Sequence, residues 1–181
     1  MTIALLATII CVAWAIAAFN RLVRDSQRVK TAWSDIDVQL KRRYDLIPKL
    51  VAAVEQYARY EQSTLQTLIE LRSRTGQVSD VGEKGTLENM IGGGLRSLIA
   101  LAEAYPELKA DQSFLQLQGE LTEVENHIQY ARRFYNGSVR NLNTRIETFP
   151  DLIIARMFNY QPGIFFELDD VAEKNSPEIT S

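Results

Sequence analysis

Cysteine and histidine occur once each in the 181 residues, as Cys11 and His127. A lone cysteine excludes an internal disulfide framework and a multi-cysteine zinc site. A lone histidine needs helpers to hold a metal. The Glu-x-x-His pair of di-iron bundles is absent, because position 124 is Val124. Glu120, Glu123 and Glu125 read more simply as the solvated face of a long helix. No nucleophile elbow, phosphate loop or paired-cysteine motif appears. Gly92-Gly93-Gly94 has neither the lysine nor the flanking strand that a phosphate loop needs. No catalytic, cofactor-binding or metal-binding residue is assigned, so the chain is expected to be no enzyme and to use no cofactor.

Charge is missing altogether from Ile3 to Phe19, IALLATIICVAWAIAAF. As a helix this stretch is about 26 Å long, slightly under the ~30 Å hydrocarbon core, so it suits a thin or locally adapted bilayer. A cleaved signal peptide is the competing reading. It needs a basic n-region, and nothing basic precedes Ile3, although a small-residue cleavage site can be drawn near Ala15 to Ala18. A lipoprotein anchor at Cys11 is a poor match, since Thr8-Ile9-Ile10 precedes it. Residues 1–20 are therefore read as a retained transmembrane anchor, with Cys11 a small apolar residue inside it.

The net charge is only −3, but it is unevenly spread. Arg21, Arg24, Arg28 and Lys30 against Asp25 make a collar of +3, and residues 167–181 carry a balance of −4. That is not the composition of a basic nucleic-acid binder. Arg132-Arg133 beside Phe134-Tyr135-Asn136 mixes cations and aromatics, but Tyr135 lies on an apolar stripe, and no nucleic-acid partner is expected. Because all the nearby cations follow the apolar run, the positive-inside rule puts the N-terminus out and the domain in the cytoplasm. Arg21, Arg24, Arg28 and Lys30 are the candidate membrane-surface contacts. Each is worth about 1 kcal/mol near an anionic surface; the plainer reading is that they only set topology.

After the anchor the apolar pattern is helical throughout. Leu22, Val29, Trp33, Ile36 and Leu40 keep one face apolar, and no Pro or Gly interrupts the chain before Arg43. Lys41-Arg42-Arg43 suits a helix C-terminus. Asp45 can cap a new helix and Pro48 can sit in its first turn. A reversal is expected here, followed by a second helix over about 46–73. Its stripe is Leu50, Val54, Tyr57, Leu65, Leu68 and Leu71. A glycine-rich loop follows. The third helix carries Leu87, Ile91, Gly94, Leu98, Leu101 and Tyr105 at heptad spacing. Gly92-Gly93-Gly94 either weakens it or lets a neighbour pass close. The fourth helix, about 110–148, keeps heptads from Phe114 through Tyr135 and Leu142 to Phe149, with Arg145 on the stripe. The chain is thus expected to be all-α, a transmembrane helix running into an antiparallel up-down four-helix bundle over residues 21–150. Residues 151–170 are aromatic and should pack on the bundle or a partner, with Phe158, Tyr160, Phe165 and Phe166 as candidate partner contacts. Residues 171–181 read as a disordered acidic tail.

Long ordered motifs give these elements a second meaning. FNRLVRDSQRVKTAWSDIDVQLKRRYDLIPKLVAAVEQYARYE from Phe19, EAYPELKADQSFLQLQGELTEVENHIQYARRFYNGSVRNLNTRIETFP from Glu103, and the run from Phe158 to Glu167 resemble the LemA family. The resemblance covers nearly all of the chain except the glycine-rich loop and the tail. It implies a membrane-anchored, antiparallel helical bundle without enzyme activity, in a family that includes a magnetosome-membrane branch. Gly92-Gly93-Gly94 departs from the expected helix formers. The function expected is a non-enzymatic scaffold at a bacterial cytoplasmic (inner) membrane or derived organelle membrane, recruiting membrane or cytoplasmic proteins. The alternative is a membrane-shaping or anionic-lipid-sensing protein. Homo-oligomerisation through the long fourth helix stays open.

Overall fold

The first helix does not stop where its charge pattern suggests. In the computed structural model, which describes residues 1–58 and 62–166, α1 is one continuous helix, Thr2–Glu55. It is followed by α2 (Gln62–Thr75), α3 (Val81–Glu103), α4 (Pro106–Lys109), α5 (Gln112–Glu147) and α6 (Asp151–Met157). The chain is all-helical, and no strand occurs among the described residues. The acidic tail expected over residues 171–181, and the end of the aromatic segment from residue 167, lie outside the described residues.

The expected reversal near Asp45 is corrected by α1 running through Pro48. A helical proline removes the N–H that would bond the carbonyl four residues back. Here that carbonyl belongs to Tyr44, and the Arg72 Nε donates to it at 2.8 Å. The helix survives because α2 supplies the missing donor. Residues 46–55 therefore belong to α1, and the second helix begins at Gln62. Lys41 and Arg42 stay exposed, but Arg43 does not cap anything: its side chain is buried.

The described chain divides into two compact units, and α1 and α5 each contribute to both. One unit comprises residues 41–125 together with the last described residue, Phe166. Its buried apolar residues include Ile47, Leu50 and Val54 of α1, Leu65, Leu68 and Leu71 of α2, and Leu87, Ile91, Leu95 and Leu98 of α3. The glycine triplet does not break α3. A Cβ on Gly94 would meet the Leu68 Cδ1 at 3.1 Å, while one on Gly93 would meet nothing. Close approach thus explains one glycine of the three. Asp80 caps α3 by accepting from the Glu83 N–H at 2.8 Å, and Asp111 caps α5 by accepting from Ser113 and Phe114 at 2.8 and 3.0 Å.

The other unit comprises residues 1–40 and 126–165. Its core is Ala18, Leu22, Leu142, Ile146, Ile154 and Ala155, with Trp14, Ala15, Phe19, Val29 and Tyr160 packed against it. The apolar run and the C-terminal end of α5 thus share one core. The aromatic segment after the fourth helix, expected to pack on the bundle or a partner, begins with a short helix, α6. This helix closes with the Tyr160 N–H bonded to the Ala155 carbonyl at 2.9 Å and Asn159 at φ 53°. That is the helix-ending motif in which the left-handed position is taken by Gly or Asn. Beyond it, the Tyr135 hydroxyl donates to the Ile164 carbonyl, and Asn143 exchanges two bonds with Gly163. Phe149, expected on the fourth helix's buried stripe, lies beyond its end and is 75% exposed.

Candidate functional site

Helical spacing on α1 puts Arg21, Asp25 and Arg28 on one face, four and three residues apart. On α5, Arg140 and Thr144 stand four apart, as do Asn141 and Arg145. These side chains, with Asp151 at the start of α6, line a pocket of about 420 Å³. Arg145 organises it. Its Nε donates to Asp25 Oδ2 at 2.5 Å and its Nη1 to Asp151 Oδ2 at 3.0 Å. Arg28 approaches Asp25 Oδ1 at 3.5 Å. The bond to Asp25 is the largest influence holding the Arg145 guanidinium above its ordinary pKa, with Asp151 adding to it against the cost of burial. Arg145 is therefore a fixed cation. Both aspartates are buried, and each is tied to the same guanidinium. Among the described residues, no carboxylate pairs with Arg21 or Arg140.

Of the four collar cations, Arg21 and Arg28 line the pocket. Arg24 and Lys30 are exposed and do not. Sequence reasoning missed Arg140, Asp25 and Asp151. A signal for the site was present in Arg145, a charged residue on an otherwise apolar stripe, which needs a buried counter-charge. Nothing local in the sequence named Asp25 as that partner.

The aromatic candidates separate by burial. Phe166 is fully buried and Tyr160 packs on the core. Phe158 is 52% exposed and its ring lies 4.7 Å from that of Phe19. Phe165 is 37% exposed. Outward contact from this segment can therefore come from Phe158 and Phe165. Beside them, Ile153 and Met157 are exposed four residues apart on α6, an uncovered apolar ridge, and Phe149, just before that helix, is exposed as well.

A second charged cluster is structural. Arg43 reaches both Glu88 and, at 2.8 Å, Glu125, while the Tyr44 hydroxyl donates to Glu88. Glu125 is therefore not simply a solvated acid. His127 sits on an exposed helix face, and among the described residues no three acidic, His or Cys side chains could hold a metal ion.

Comparison with known proteins places this architecture among relatives. The LemA family model matches residues 32–180. "Protein LemA" of Metamycoplasma hominis is 27% identical over 157 residues, covering 84% of this chain and 70% of that one. "Magnetosome protein MamQ 2" of Paramagnetospirillum magneticum is 23% identical over 193 residues, covering 92% and 71%.

Proposed function

The chain belongs to the LemA family, and from that premise we propose that it is a single-pass, non-enzymatic scaffold whose helical domain is held against the cytoplasmic face of a bacterial inner membrane or a membrane derived from it. The observation that carries this reading is the core shared by the apolar run and the domain. α1 contains a window long and apolar enough to cross a membrane, with mean hydropathy 2.4 and 6% of it buried. Yet the last turns of the run, from Trp14 to Phe19, pack on residues of α5 and α6. Cleavage near Ala15 to Ala18 would strip Trp14 from that core and leave its neighbours bare, which favours a retained anchor over a signal peptide. The exposed ridge of Ile153 and Met157, with the exposed Phe149 before it, belongs to the same end. In water it would be a liability, whereas beside a membrane span it sits in the interfacial layer. The likeness to a magnetosome protein agrees with a derived organelle membrane as one setting.

The scaffold role is tested by crosslinking in native cells, then mild-detergent purification of the full chain and of a Phe158→Ser/Phe165→Ser variant. A stoichiometric partner lost from the variant supports recruitment through the aromatic segment. A full chain that emerges alone retires the scaffold reading. The second reading, anionic-lipid sensing, is favoured by the arginine pocket.

A further inference from the structure

We propose that the pocket lined by Arg21, Arg28, Arg140 and Arg145 holds the phosphate of an anionic phospholipid headgroup from the adjoining leaflet. The proposal rests on the reading that α1 is a retained membrane span. Four guanidinium groups and two carboxylates line the pocket, which leaves it with two positive charges in excess. Asp25 and Asp151 are spent on Arg145, so they fix one wall rather than neutralise the cavity. Arg21 and Arg140 come from different helices and have no carboxylate partner among the described residues. Their planar donor forks match phosphate oxygens.

Depth selects a lipid as the source of that phosphate. Arg21 lies two residues after Phe19, about 3 Å further along the helix axis. The headgroup layer is roughly 5–8 Å thick on each side of the hydrocarbon core. The mouth of the pocket is therefore at the level where phospholipid phosphates stand. Phe149, exposed and on the rim of the same pocket, offers an apolar surface where an acyl chain would descend. Topology setting alone needs only cations flanking the span. It gives no reason for Arg140 and Arg145, more than a hundred residues later in the chain, to converge on Arg21.

The test is native mass spectrometry of the full-length protein in detergent, titrated with phosphatidylglycerol, phosphatidylcholine or inorganic phosphate. One phosphatidylglycerol should be retained per chain, roughly tenfold more tightly than phosphatidylcholine. The Arg21→Ala/Arg140→Ala variant should lose that preference. Arg24→Ala/Lys30→Ala, which removes the same charge from exposed collar positions, should keep it. Equal weakening by the two pairs would make the effect diffuse electrostatics and overturn the pocket. So would an absent preference, or displacement of the lipid by millimolar inorganic phosphate. Carbonate extraction of the same cells reads the anchor separately. A chain released by carbonate sinks anchor and pocket together, while a chain that stays with the membrane but shows no lipid preference sinks the pocket alone.

Discussion

Arg72 donates from Nε to the main-chain carbonyl of Tyr44 at 2.8 Å, making from α2 the hydrogen bond that Pro48 cannot make within α1. A proline inside a helix costs about 3 kcal/mol through the lost bond and ring crowding. The side chain of Arg72 offsets part of that, which is why α1 continues to Glu55. The two residues should therefore be energetically coupled. Arg72→Met is expected to destabilise the protein by about 1 kcal/mol, the scale of one unmade hydrogen bond. Pro48→Ala should stabilise it. In the Pro48→Ala background, where an N–H again reaches Tyr44, Arg72→Met should cost less than half as much. A double-mutant cycle by thermal denaturation of the full chain reads this coupling; strictly additive effects would mean that Arg72 does not stand in for the missing bond.

Arg43 presents a different balance. Its side chain and that of Glu88 are both withdrawn from water, and Tyr44 and Glu125 complete the network. Removing one partner leaves a buried charge, at about 3–5 kcal/mol, while replacing both by apolar groups is often neutral. Arg43→Met should accordingly be severely destabilising, and Arg43→Met/Glu88→Leu should recover most of the loss. Urea midpoints of the three proteins measure it. A double variant as unstable as the single one would show that packing around Arg43, not its charge, carries the stability.

These two sites mark what the sequence could and could not show. The stripes of Leu65, Leu68 and Leu71, and of Leu87, Ile91 and Leu98, are buried as their spacing requires. Periodicity is local, so it is legible without a structure. The continuity of α1 past Pro48 depends on Arg72, 28 residues away, and local rules favoured a stop. Lys41-Arg42-Arg43 suits a helix C-terminus by its local charge, yet a rotation of about 100° per residue separates the buried Arg43 from its exposed neighbours. In the same way Arg21 and Arg28 were legible as a collar near the membrane, but the pocket needed Arg140 and Arg145. Those pairings across the chain carry no local signature.

The glycine triplet gives a graded case. A methyl group on Gly93 meets nothing, whereas one on Gly94 meets Leu68 Cδ1 at 3.1 Å. Gly93→Ala should then stabilise α3 by about 0.5–1 kcal/mol through the helix preference alone. Gly94→Ala gains the same preference but must displace Leu68, so its net effect should be smaller or negative. The ranking is read from melting temperatures; Gly94→Ala as the more stabilising of the two would contradict the close approach.

Asp111 should confer acid sensitivity on the start of α5. The Phe114 N–H is the largest influence lowering its carboxyl pKa, with Ser113 and the Tyr57 hydroxyl adding to it against desolvation. A carboxylate lowered on folding stabilises the fold above its unfolded pKa, about 3.9, and that stabilisation is lost as pH falls through the folded value. Asp111→Ala should lower the melting temperature at pH 7, and the gap to the parent protein should close as pH drops below about 4. Tyr57→Phe should have the smaller effect, because the main-chain bonds remain. A gap that persists unchanged in acid would place the Asp111 contribution outside its charge.

The ridge on α6 tests how the domain meets the bilayer. Phe158 lies against Phe19, and the core beneath α6 extends to Ala15 and Trp14. Five residues of helix separate Trp14 from Phe19, about 7 Å along the axis. If the span ends near Phe19, α6 reaches about that far below the membrane surface, within the 5–10 Å typical of interfacial helices. An environment-sensitive fluorophore on Met157→Cys, in a Cys11→Ala background, should be quenched by brominated acyl chains and shielded from aqueous iodide. The same label on Gln129→Cys, an exposed position of α5, should behave in the opposite way. Ile153→Asp/Met157→Asp should leave the chain membrane-bound, since α1 still spans, but should raise iodide access to a label at Phe149→Cys. Equal iodide quenching at positions 157 and 129 in the parent would put the ridge in water and remove the physical basis for seating the arginine pocket at headgroup depth.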